Sequence, residues 1–251
     1  MTEVYRSLEK WSAAREGLGS SIGFVPTMGA LHEGHLSLVR ESRDQNDVTV
    51  VSIFVNPTQF NDPDDLRNYP RNIERDLEIL KKAQADFVIL PDERDIYPDE
   101  YCYRVAESKE SRILCGAHRP GHFEGVLTVV LKLLQVSGAD RAYFGEKDYQ
   151  QYRLIDQMAR AFFLKTRVIP RPIIREPDGL AMSSRNQLLL PEHRRLAPEF
   201  IRTLKQKKSC DAIRAELERA GFKVDYVEEH WGRRLGAVRL GKVRLIDNVE
   251  I

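Results

Sequence analysis

The chain has 251 residues and a formal net charge of +1 at pH 7, because 39 lysines and arginines nearly balance 38 aspartates and glutamates. This length predicts one large domain or two modest ones, and the balanced charge argues against a broad basic surface for nucleic acid or an anionic membrane. The charged N-terminus, three irregularly spaced cysteines and the lack of an apolar run of roughly 20 residues predict a cytoplasmic protein rather than a secreted or membrane protein.

The first two-thirds of the chain alternates strand-like and helix-like segments. Residues 48–55 (VTVVSIFV) are nearly all apolar and rich in β-branched side chains, which is typical of a strand buried on both faces of a parallel sheet. The alternation predicts an α/β protein with a parallel sheet flanked by helices, which binds ligands at the carboxyl ends of its strands. Strands are predicted at 22–25, 48–55, 86–90, 141–144 and 166–174, and helices at 35–46, 72–85, 126–136 and 149–163.

The composition shifts after Pro177, Asp178 and Gly179, and we place a domain boundary near residue 178. The first domain is predicted to span residues 1–178, and a small α+β domain to span residues 179–251. In the second domain the apolar spacing predicts two charged helices, one short strand and a two-stranded antiparallel pair. These elements are predicted at 191–208, 209–221, 224–227, 237–240 and 242–246.

The first candidate site is the segment PTMGALHEGH (26–35), where a predicted strand turns into a helix. Gly29 and Gly34 allow the backbone to approach a ligand closely, and the helix start offers free N–H groups to an anion. His35 and Leu36 stand where a Walker loop needs lysine and serine or threonine, so a P-loop NTPase is excluded. The two imidazoles of His32 and His35 suit phosphate oxygens; zinc ligation or an ordinary tight turn are the alternatives.

Two later segments add groups that suit a phosphorylated nucleotide. In FGEKDYQQ (144–151), Lys147 can neutralise a phosphate and Asp148 can accept a hydrogen bond from a ribose hydroxyl. In DGLAMSSRN (178–186), two serine hydroxyls and Arg185 can wrap an anion. An exposed turn with a local Lys–Asp pair and a solvated loop are the corresponding structural alternatives.

These three segments, with others along essentially the whole chain, closely resemble the pantoate–β-alanine ligase family. The other matching segments are SIFVNPTQF (52–60), YPR (69–71), RPGHFEGV (119–126) and RLIDN (244–248). His-x-Gly-His is also similar to the HIGH signature, and Met-Ser-Ser-Arg to the KMSKS signature, of nucleotidylyltransferases and class I aminoacyl-tRNA synthetases. The resemblance implies a Rossmann-like α/β domain, a smaller C-terminal domain that covers the site, and a homodimer.

The resemblance implies an activity: ATP-dependent joining of (R)-pantoate to β-alanine through pantoyl adenylate, with release of pyrophosphate and AMP and with Mg²⁺ present. We assign catalysis to His35, because it lies at the predicted helix start, with His32 and Lys147 as further donors to the charge that develops at phosphorus. The resemblance assigns the binding residues that follow. It assigns ATP binding to Met28, Gly29, Ala30, Leu31, His32, Glu33, Gly34, His35, Gly145, Glu146, Lys147, Asp148, Ile174, Met182, Ser183, Ser184 and Arg185. It assigns pantoate and β-alanine binding to Gln59 and Gln151, with Asn56 as a weaker candidate.

Two candidate metal sites have weaker support in the sequence. Asp76 lies where the family has a metal-associated acidic residue, but the preceding Arg75 is not acidic, and a solvated helix charge is the alternative. The second candidate is a zinc site formed by Cys102, Cys115, His118 and His122. Zinc is disfavoured, because Cys102 is expected in a strand and the turn at 120–121 would separate the two histidines. We expect the RPGHFEGV segment to pack beside the substrate pocket instead.

Two other functions remain open from sequence alone. One is a nucleotidylyltransferase that keeps the adenylyl product, against which Gln59 and Gln151 argue. The other is a non-catalytic nucleotide- or RNA-binding relative of a synthetase, against which the balanced charge argues. We expect dimer contacts through a sheet edge near 48–55. The short passage 228–234 predicts a shortened C-terminal domain and leaves closure over the site in question.

Overall fold

The computed structural model describes residues 2–251, and its larger part is a six-stranded sheet in the order β1-β4-β3-β2-β5-β6. Every pairing in it is parallel. The strands are β1 (Glu3–Tyr5), β2 (Ile22–Thr27), β3 (Val48–Ile53), β4 (Phe87–Ile89), β5 (Arg141–Gly145) and β6 (Arg167–Arg171). The predicted α/β architecture is confirmed; the sequence analysis did not include β1, which is short and mostly exposed.

Helices flank this sheet. They are α1 (Leu8–Glu16), α2 (Glu33–Gln45), α3 (Pro63–Arg67), α4 (Ile73–Lys82), α5 (Glu93–Ile96), α6 (Cys115–His118), α7 (His122–Ser137) and α8 (Tyr149–Ala161). Helix α7 begins four residues earlier than predicted, because Gly121 takes a left-handed φ of 80° and starts the helix immediately after the turn. It ends at Gly138, which is also left-handed.

The sheet has a switch point between β2 and β5. The chain passes from β2 to β3 and β4 on one side, and then returns to place β5 and β6 on the other side of β2. In such sheets the loops after the two central strands diverge and leave a crevice at their carboxyl ends. The segments after β2 and after β5 therefore meet at one site.

Strand β3 is almost entirely buried, as predicted from its β-branched residues. Val50 and Val51 are completely buried although they point to opposite faces. Strand β3 pairs with β2 on one side and β4 on the other. The expectation of a dimer contact through a sheet edge near 48–55 is therefore wrong, because the edges of this sheet are β1 and β6.

The C-terminal part holds a separate antiparallel sheet in the order β7-β8-β9. Its elements are α9 (Pro191–Leu196), α10 (Pro198–Leu204), α11 (Cys210–Arg219), β7 (Lys223–His230), β8 (Arg233–Leu240) and β9 (Val243–Glu250). The predicted strand at 224–227 and the predicted two-stranded pair join in one three-stranded meander, because the passage 228–234 extends β7 and β8 around a two-residue turn. The predicted helix over 191–208 divides at Ala197, since Pro198 has no N–H to continue the first helix.

This sheet packs on α10 and α11 with an apolar core of its own, in which Phe200, Leu204, Ile213 and Leu217 are almost fully buried. A few residues of β7 and β8, among them Tyr226, belong instead to the core of the large sheet. The two parts therefore share packed side chains. None of the helices within residues 2–251 is long and apolar enough to cross a membrane.

Candidate active site

A cavity of about 240 Å³ opens at the carboxyl ends of β2 and β5. It collects residues from seven separate segments of the chain. The sequence-predicted residues that line it are Met28, His32, Gly34, His35, Asn56, Gln59, Gly145, Lys147, Asp148, Gln151, Ile174, Met182, Ser183, Ser184 and Arg185. The remaining members of the predicted ATP set lie in the same loops but do not line this cavity: Gly29, Ala30, Leu31, Glu33 and Glu146.

A second cavity of about 610 Å³ adjoins the first and lies between α3 and the C-terminal sheet. Lys147, Asp148, Ser183 and Arg185 line both cavities. The cationic and hydroxyl side chains of the two later segments therefore stand at the junction, where an extended, highly charged ligand could reach from one cavity into the other.

The loop after β2 is held by a buried carboxylate. Asp76 of α4 is 2% exposed, and its Oδ2 and Oδ1 accept hydrogen bonds from the N–H groups of Ala30 and Leu31, each at 2.8 Å. Gly29 and Ala30 both have positive φ, and a Cβ at Gly29 would stand 2.8 Å from Asp76 Oδ2. Hydrogen bonds to a charged acceptor contribute roughly 1.5–3 kcal/mol each, which offsets the strain of this turn.

The expected metal role does not fit Asp76. Both of its oxygens already serve backbone N–H groups, and the side chain is buried under the loop rather than open to the cavity. A solvated helix charge, the alternative reading, does not fit either. Between residues 2 and 251 no group of three or more His, Cys, Asp or Glu side chains could hold a metal ion.

Two imidazoles stand at the start of α2. His32 is the N-cap, so the helix begins at Glu33, two residues before the predicted start. The N–H of Gly34 donates to Nδ1 of His32 at 3.1 Å, and the N–H of His32 donates to Nδ1 of His35 at 3.3 Å. Because backbone N–H groups can only donate, both Nδ1 atoms are acceptors and both rings carry their proton on Nε2. The rings pack 4.1 Å apart.

Both imidazoles are neutral at pH 7. Burial lowers the pKa of His35 to about 3, and the neighbouring His32 and the Lys147 ammonium add to the effect. Burial and the charge of Lys147 lower the pKa of His32 to about 4. Each ring can therefore donate an Nε2–H hydrogen bond to an anionic oxygen without carrying a charge itself.

The turn after β5 supplies a fixed charge. Residues Glu146–Asp148 form a single 3₁₀ turn before α8, and Lys147 Nζ lies 3.3 Å from Asp148 Oδ2. Burial alone would raise the pKa of Asp148, but the Lys147 ammonium and the Arg185 charge together hold that pKa below its usual value. The local Lys–Asp pair considered from sequence is thus present, and it lies on the cavity wall rather than on an exposed surface.

The loop 178–186 is fixed by helix α3, to which the sequence analysis gave no role. Arg185 donates from Nε and Nη2 to the two carboxylate oxygens of Asp65 in α3, at 3.2 and 2.8 Å. Its guanidinium also stacks on the ring of Tyr69 at 5.4 Å, and the Tyr69 hydroxyl lies 3.3 Å from Ser184 Oγ. Tyr69 belongs to the YPR segment noted in the sequence, whereas nothing in the sequence pointed to Asp65.

Gln59 lies beside the histidine loop and is anchored through its main chain. Its carbonyl accepts hydrogen bonds from His122 Nδ1 at 2.8 Å and from Arg119 Nη2 at 3.1 Å. Burial and then the Arg119 charge lower the pKa of His122 to about 3. His122 is therefore neutral, with Nδ1–H as donor and Nε2 as acceptor from Arg119 Nη1 at 3.0 Å.

The Gln59 side chain is also fixed within the cavity. Its Nε2 lies 3.2 Å from the sulfur of Met28, and its Oε1 accepts from Asn56 Nδ2 at 3.0 Å. The same Asn56 amide donates to the carbonyl of Gly125 at 3.1 Å. A Cβ at Gly125 would meet the carbonyl oxygen of Thr58 at 2.6 Å, so the RPGHFEGV segment packs directly against the Gln59 turn, as expected.

The cysteines of the alternative zinc site lie in different surroundings. Cys102 is exposed and lies outside any strand, contrary to the sequence expectation. Cys115 is buried, with its sulfur 3.1 Å from the Tyr226 hydroxyl and 3.4 Å from Arg244 Nη1. Cys115 therefore serves as a packing contact between α6 and the C-terminal sheet.

A parallel α/β sheet with two anion-accepting loops at its switch point defines a Rossmann-like nucleotide-binding protein. The particular family follows from sequence: the family described as Pantoate-beta-alanine ligase matches residues 1–250. The chain belongs to the pantoate–β-alanine ligase family, and it is a ligase.

Related proteins match over their full length. The pantothenate synthetase of Bdellovibrio bacteriovorus is 49% identical over 100% of both chains. A crystal structure of the Francisella tularensis pantoate-beta-alanine ligase, complexed with beta-gamma ATP and beta-alanine, is 42% identical with a TM-score of 0.95 and covers 100% of this chain and 98% of its own. The pantothenate synthetase of Thermus thermophilus is 39% identical with a TM-score of 0.89 and 99% coverage of both chains. Because the matches cover 98–100% of these proteins, the C-terminal part is not shortened relative to them, contrary to the sequence expectation.

Proposed function

We propose that this chain joins (R)-pantoate to β-alanine at the expense of ATP, through a pantoyl-adenylate intermediate, and releases pyrophosphate and AMP. One observation carries the proposal beyond family membership. Two neutral Nε2–H donors, one ammonium and two hydroxyls from three distant segments line one cavity beside the amides of Gln59 and Gln151. The first group suits a triphosphate, and the second suits a small hydroxy acid.

In the first step the pantoate carboxylate attacks the α-phosphorus of ATP. Negative charge grows on the equatorial phosphoryl oxygens and on the bridging oxygen that leaves with pyrophosphate. His32 and His35 donate to these oxygens, and Lys147 supplies the compensating charge. Because the groups are fixed before ATP arrives, little reorganisation is needed at the moment of reaction.

The remaining predicted nucleotide ligands complete this part of the proposal. Ser183, Ser184 and Arg185 bind the outer phosphates at the junction of the two cavities, where Arg185 is already oriented by Asp65. The turn Glu146–Asp148 is proposed to contact the ribose through Asp148. Ile174 and Met182 line the cavity as apolar neighbours of the base.

Pantoate is proposed to bind Gln59 and Gln151, with Asn56 orienting the first of these amides. Neutral amides can hydrogen-bond both the hydroxyls and the carboxylate of pantoate. They leave the carboxylate its charge, and hence its strength as a nucleophile. The double anchor on the Gln59 carbonyl keeps this amide at a fixed distance from the histidine loop.

In the second step the β-alanine amine attacks the acyl carbon, and AMP leaves. An alkylammonium with a pKa of roughly 10 must first lose a proton. His32 and His35 hold their proton on Nε2 and have Nδ1 engaged, and both ring nitrogens of His122 are engaged. We therefore assign the acceptor role to the phosphate that departs with AMP, because its oxygens become more basic as the acyl–oxygen bond breaks and can take the proton that the nitrogen loses as the C–N bond forms.

Magnesium belongs to the proposal as the companion of ATP. The phosphates would hold it, since Mg²⁺ commonly binds through substrate phosphates and water. Asp76 is not proposed as a ligand, because its oxygens serve Ala30 and Leu31.

Organisation and location complete the proposal. We propose a nucleotide- and pantoate-binding unit over residues 1–178 and a C-terminal unit over residues 179–251 that covers the site. A homodimer is proposed from the family resemblance, and analytical ultracentrifugation tests it. A cytoplasmic location is consistent with three free cysteines and with the use of ATP.

The proposal is tested by following AMP and pantothenate with purified protein, ATP, Mg²⁺ and (R)-pantoate, with and without β-alanine. We expect pantothenate and AMP in equal amounts, and sustained AMP formation only when the amine is present. AMP output that does not respond to β-alanine would indicate hydrolysis of the adenylate rather than ligation. ATP binding without turnover under saturating substrates would identify a non-catalytic relative.

A further inference from the structure

The C-terminal segment RLIDN has no role in the mechanism above, yet two of its residues hydrogen-bond to segments that line the nucleotide cavity. Asp247 and Asn248 are adjacent on β9, and each is 2% exposed. The polar atoms of two such buried side chains must find partners inside the protein. Both find them in segments that carry predicted nucleotide ligands.

Asn248 holds the turn that contains Lys147. Its Nδ2 donates to the carbonyl oxygen of Glu146 at 2.8 Å and to that of Lys147 at 3.3 Å. Its Oδ1 accepts from Arg233 Nη1 at 2.8 Å, which fixes which end of the amide faces the turn. Arg233 also pairs with the Glu146 carboxylate at 3.1 Å. The turn is thus held through two consecutive carbonyls and one side chain.

Asp247 holds the other segment. Its two carboxylate oxygens accept from Arg175 Nη1 and Nη2 at 2.7 and 2.9 Å, and Arg175 Nη1 also donates to the carbonyl of Gly179 at 3.1 Å. Arg175 directly follows Ile174 and precedes the loop 178–186. One buried strand of the C-terminal sheet therefore sets the separation between the Lys147 turn and the loop that carries the twin serines.

We propose that Asn248 is a positioning residue for adenylate formation, which places the Lys147 ammonium by holding the main chain of its turn through two N–H bonds from one amide. This inference rests on the proposed function and assigns the RLIDN segment a part in it. Only a side chain with a neutral amide can donate to two carbonyls while accepting from Arg233. An aspartate of the same shape would turn both donor contacts into repulsions.

The test compares Asn248→Asp with Asn46→Asp. Asn46 is an asparagine that lines neither cavity, and its Nδ2 also donates twice, to the Ser42 carbonyl at 2.7 Å and to the Tyr143 hydroxyl at 2.8 Å. Two half-reactions are measured for each protein: pantoate-dependent exchange of pyrophosphate into ATP, and pantothenate formation from added pantoyl adenylate and β-alanine. Thermal unfolding midpoints are recorded for both variants.

Asn248→Asp is expected to lower the exchange rate on the order of 100-fold, as for a misplacement of about 1 Å, while the reaction of added adenylate stays near the wild-type rate. Asn46→Asp should leave the ratio of the two rates unchanged at a comparable loss of stability. An equal fall in both half-reactions, or an unchanged exchange rate, would overturn the inference. Failure of the wild-type protein in either half-reaction would instead overturn the proposed function.

Discussion

The N–H of His32 points at Nδ1 of His35, 3.3 Å away, and thereby fixes the proton of the second ring on its far nitrogen. His32 is fixed in the same way by the N–H of Gly34. The helix start thus converts two titratable side chains into a pair of neutral, oriented donors. Burial supports this state, because it lowers both pKa values well below the physiological range.

Replacement of His35 by alanine removes one of these donors. We expect a loss on the order of 100- to 1,000-fold in pantoate-dependent pyrophosphate exchange, which is typical for a preorganised donor at developing charge. Lys147→Ala should lose at least as much, because it removes the positive charge that compensates the growing negative charge at the α-phosphorus. His230→Ala serves as the control, since His230 pairs with Glu228 at the end of β7. Near-normal exchange by His35→Ala would refute the assigned role.

The lowered pKa values of the buried histidines predict how stability depends on pH. The folded protein keeps His32, His35 and His122 neutral down to about pH 4, 3 and 3, whereas in the unfolded chain they take up protons near pH 6.5. Below that pH the unfolded chain binds more protons, so the free energy of unfolding falls as the pH falls; above it these groups contribute no slope.

Urea denaturation at pH 7, 6 and 5 measures this dependence. His35→Asn is the matched variant, because its amide oxygen can still accept from the His32 N–H. The variant should show a shallower fall than the wild-type protein between pH 6.5 and 5. An identical slope in the two proteins would mean that the His35 pKa is not depressed by the fold.

The double anchor on the Gln59 carbonyl predicts a defect confined to pantoate. His122→Ala removes one donor and leaves Arg119 without the acceptor at 3.0 Å that orients it. We expect a rise of about tenfold in the KM for pantoate, corresponding to the roughly 1–3 kcal/mol of one buried hydrogen-bonding group, and little change in the KM for ATP. A larger effect on ATP than on pantoate would contradict this assignment.

Asp76→Asn tests whether that carboxylate shapes the loop or binds a metal. An amide offers one acceptor where two backbone N–H groups need one each, so we expect a loss of about 2 kcal/mol in the free energy of unfolding and weaker ATP binding. The Mg²⁺ concentration for half-maximal activity should not change. Glu78→Gln, an exposed neighbour on α4, is the control. A marked rise in the Mg²⁺ requirement of Asp76→Asn would show that the carboxylate serves the ion.

Local patterns in the sequence predicted much of the fold. The β-branched run of β3 and the apolar stripe of α4 each report burial within a few residues, and both elements formed close to the expected positions. The predicted strand boundaries were wrong where the backbone conformation of a turn determines them. Trp231 and Gly232 both take positive φ and close a two-residue turn between β7 and β8. The two strands therefore continue through residues 228–230 and 233–236, which the predicted strands at 224–227 and 237–240 did not include.

The sequence predicted the residues that line the site but not the residues that orient them. Motifs contiguous in the chain, such as the histidine pair, carry their chemistry in their spacing. The partners that orient them do not: Asp76 holds a loop 45 residues away, and Asp65 holds Arg185 across 120 residues. Neither pairing leaves a mark in a single sequence, because any solvated acid on a helix has the same local pattern.

The most direct test of the account follows the oxygen atoms of pantoate. With both carboxylate oxygens labelled with ¹⁸O, attack on the α-phosphorus makes a P–¹⁸O bond, and attack of the amine on the acyl carbon then breaks the C–¹⁸O bond. Mass spectrometry of the products should find one ¹⁸O in each AMP and one in each pantothenate. AMP without label, or label in pyrophosphate, would show that the carboxylate does not attack the innermost phosphorus and would contradict the account.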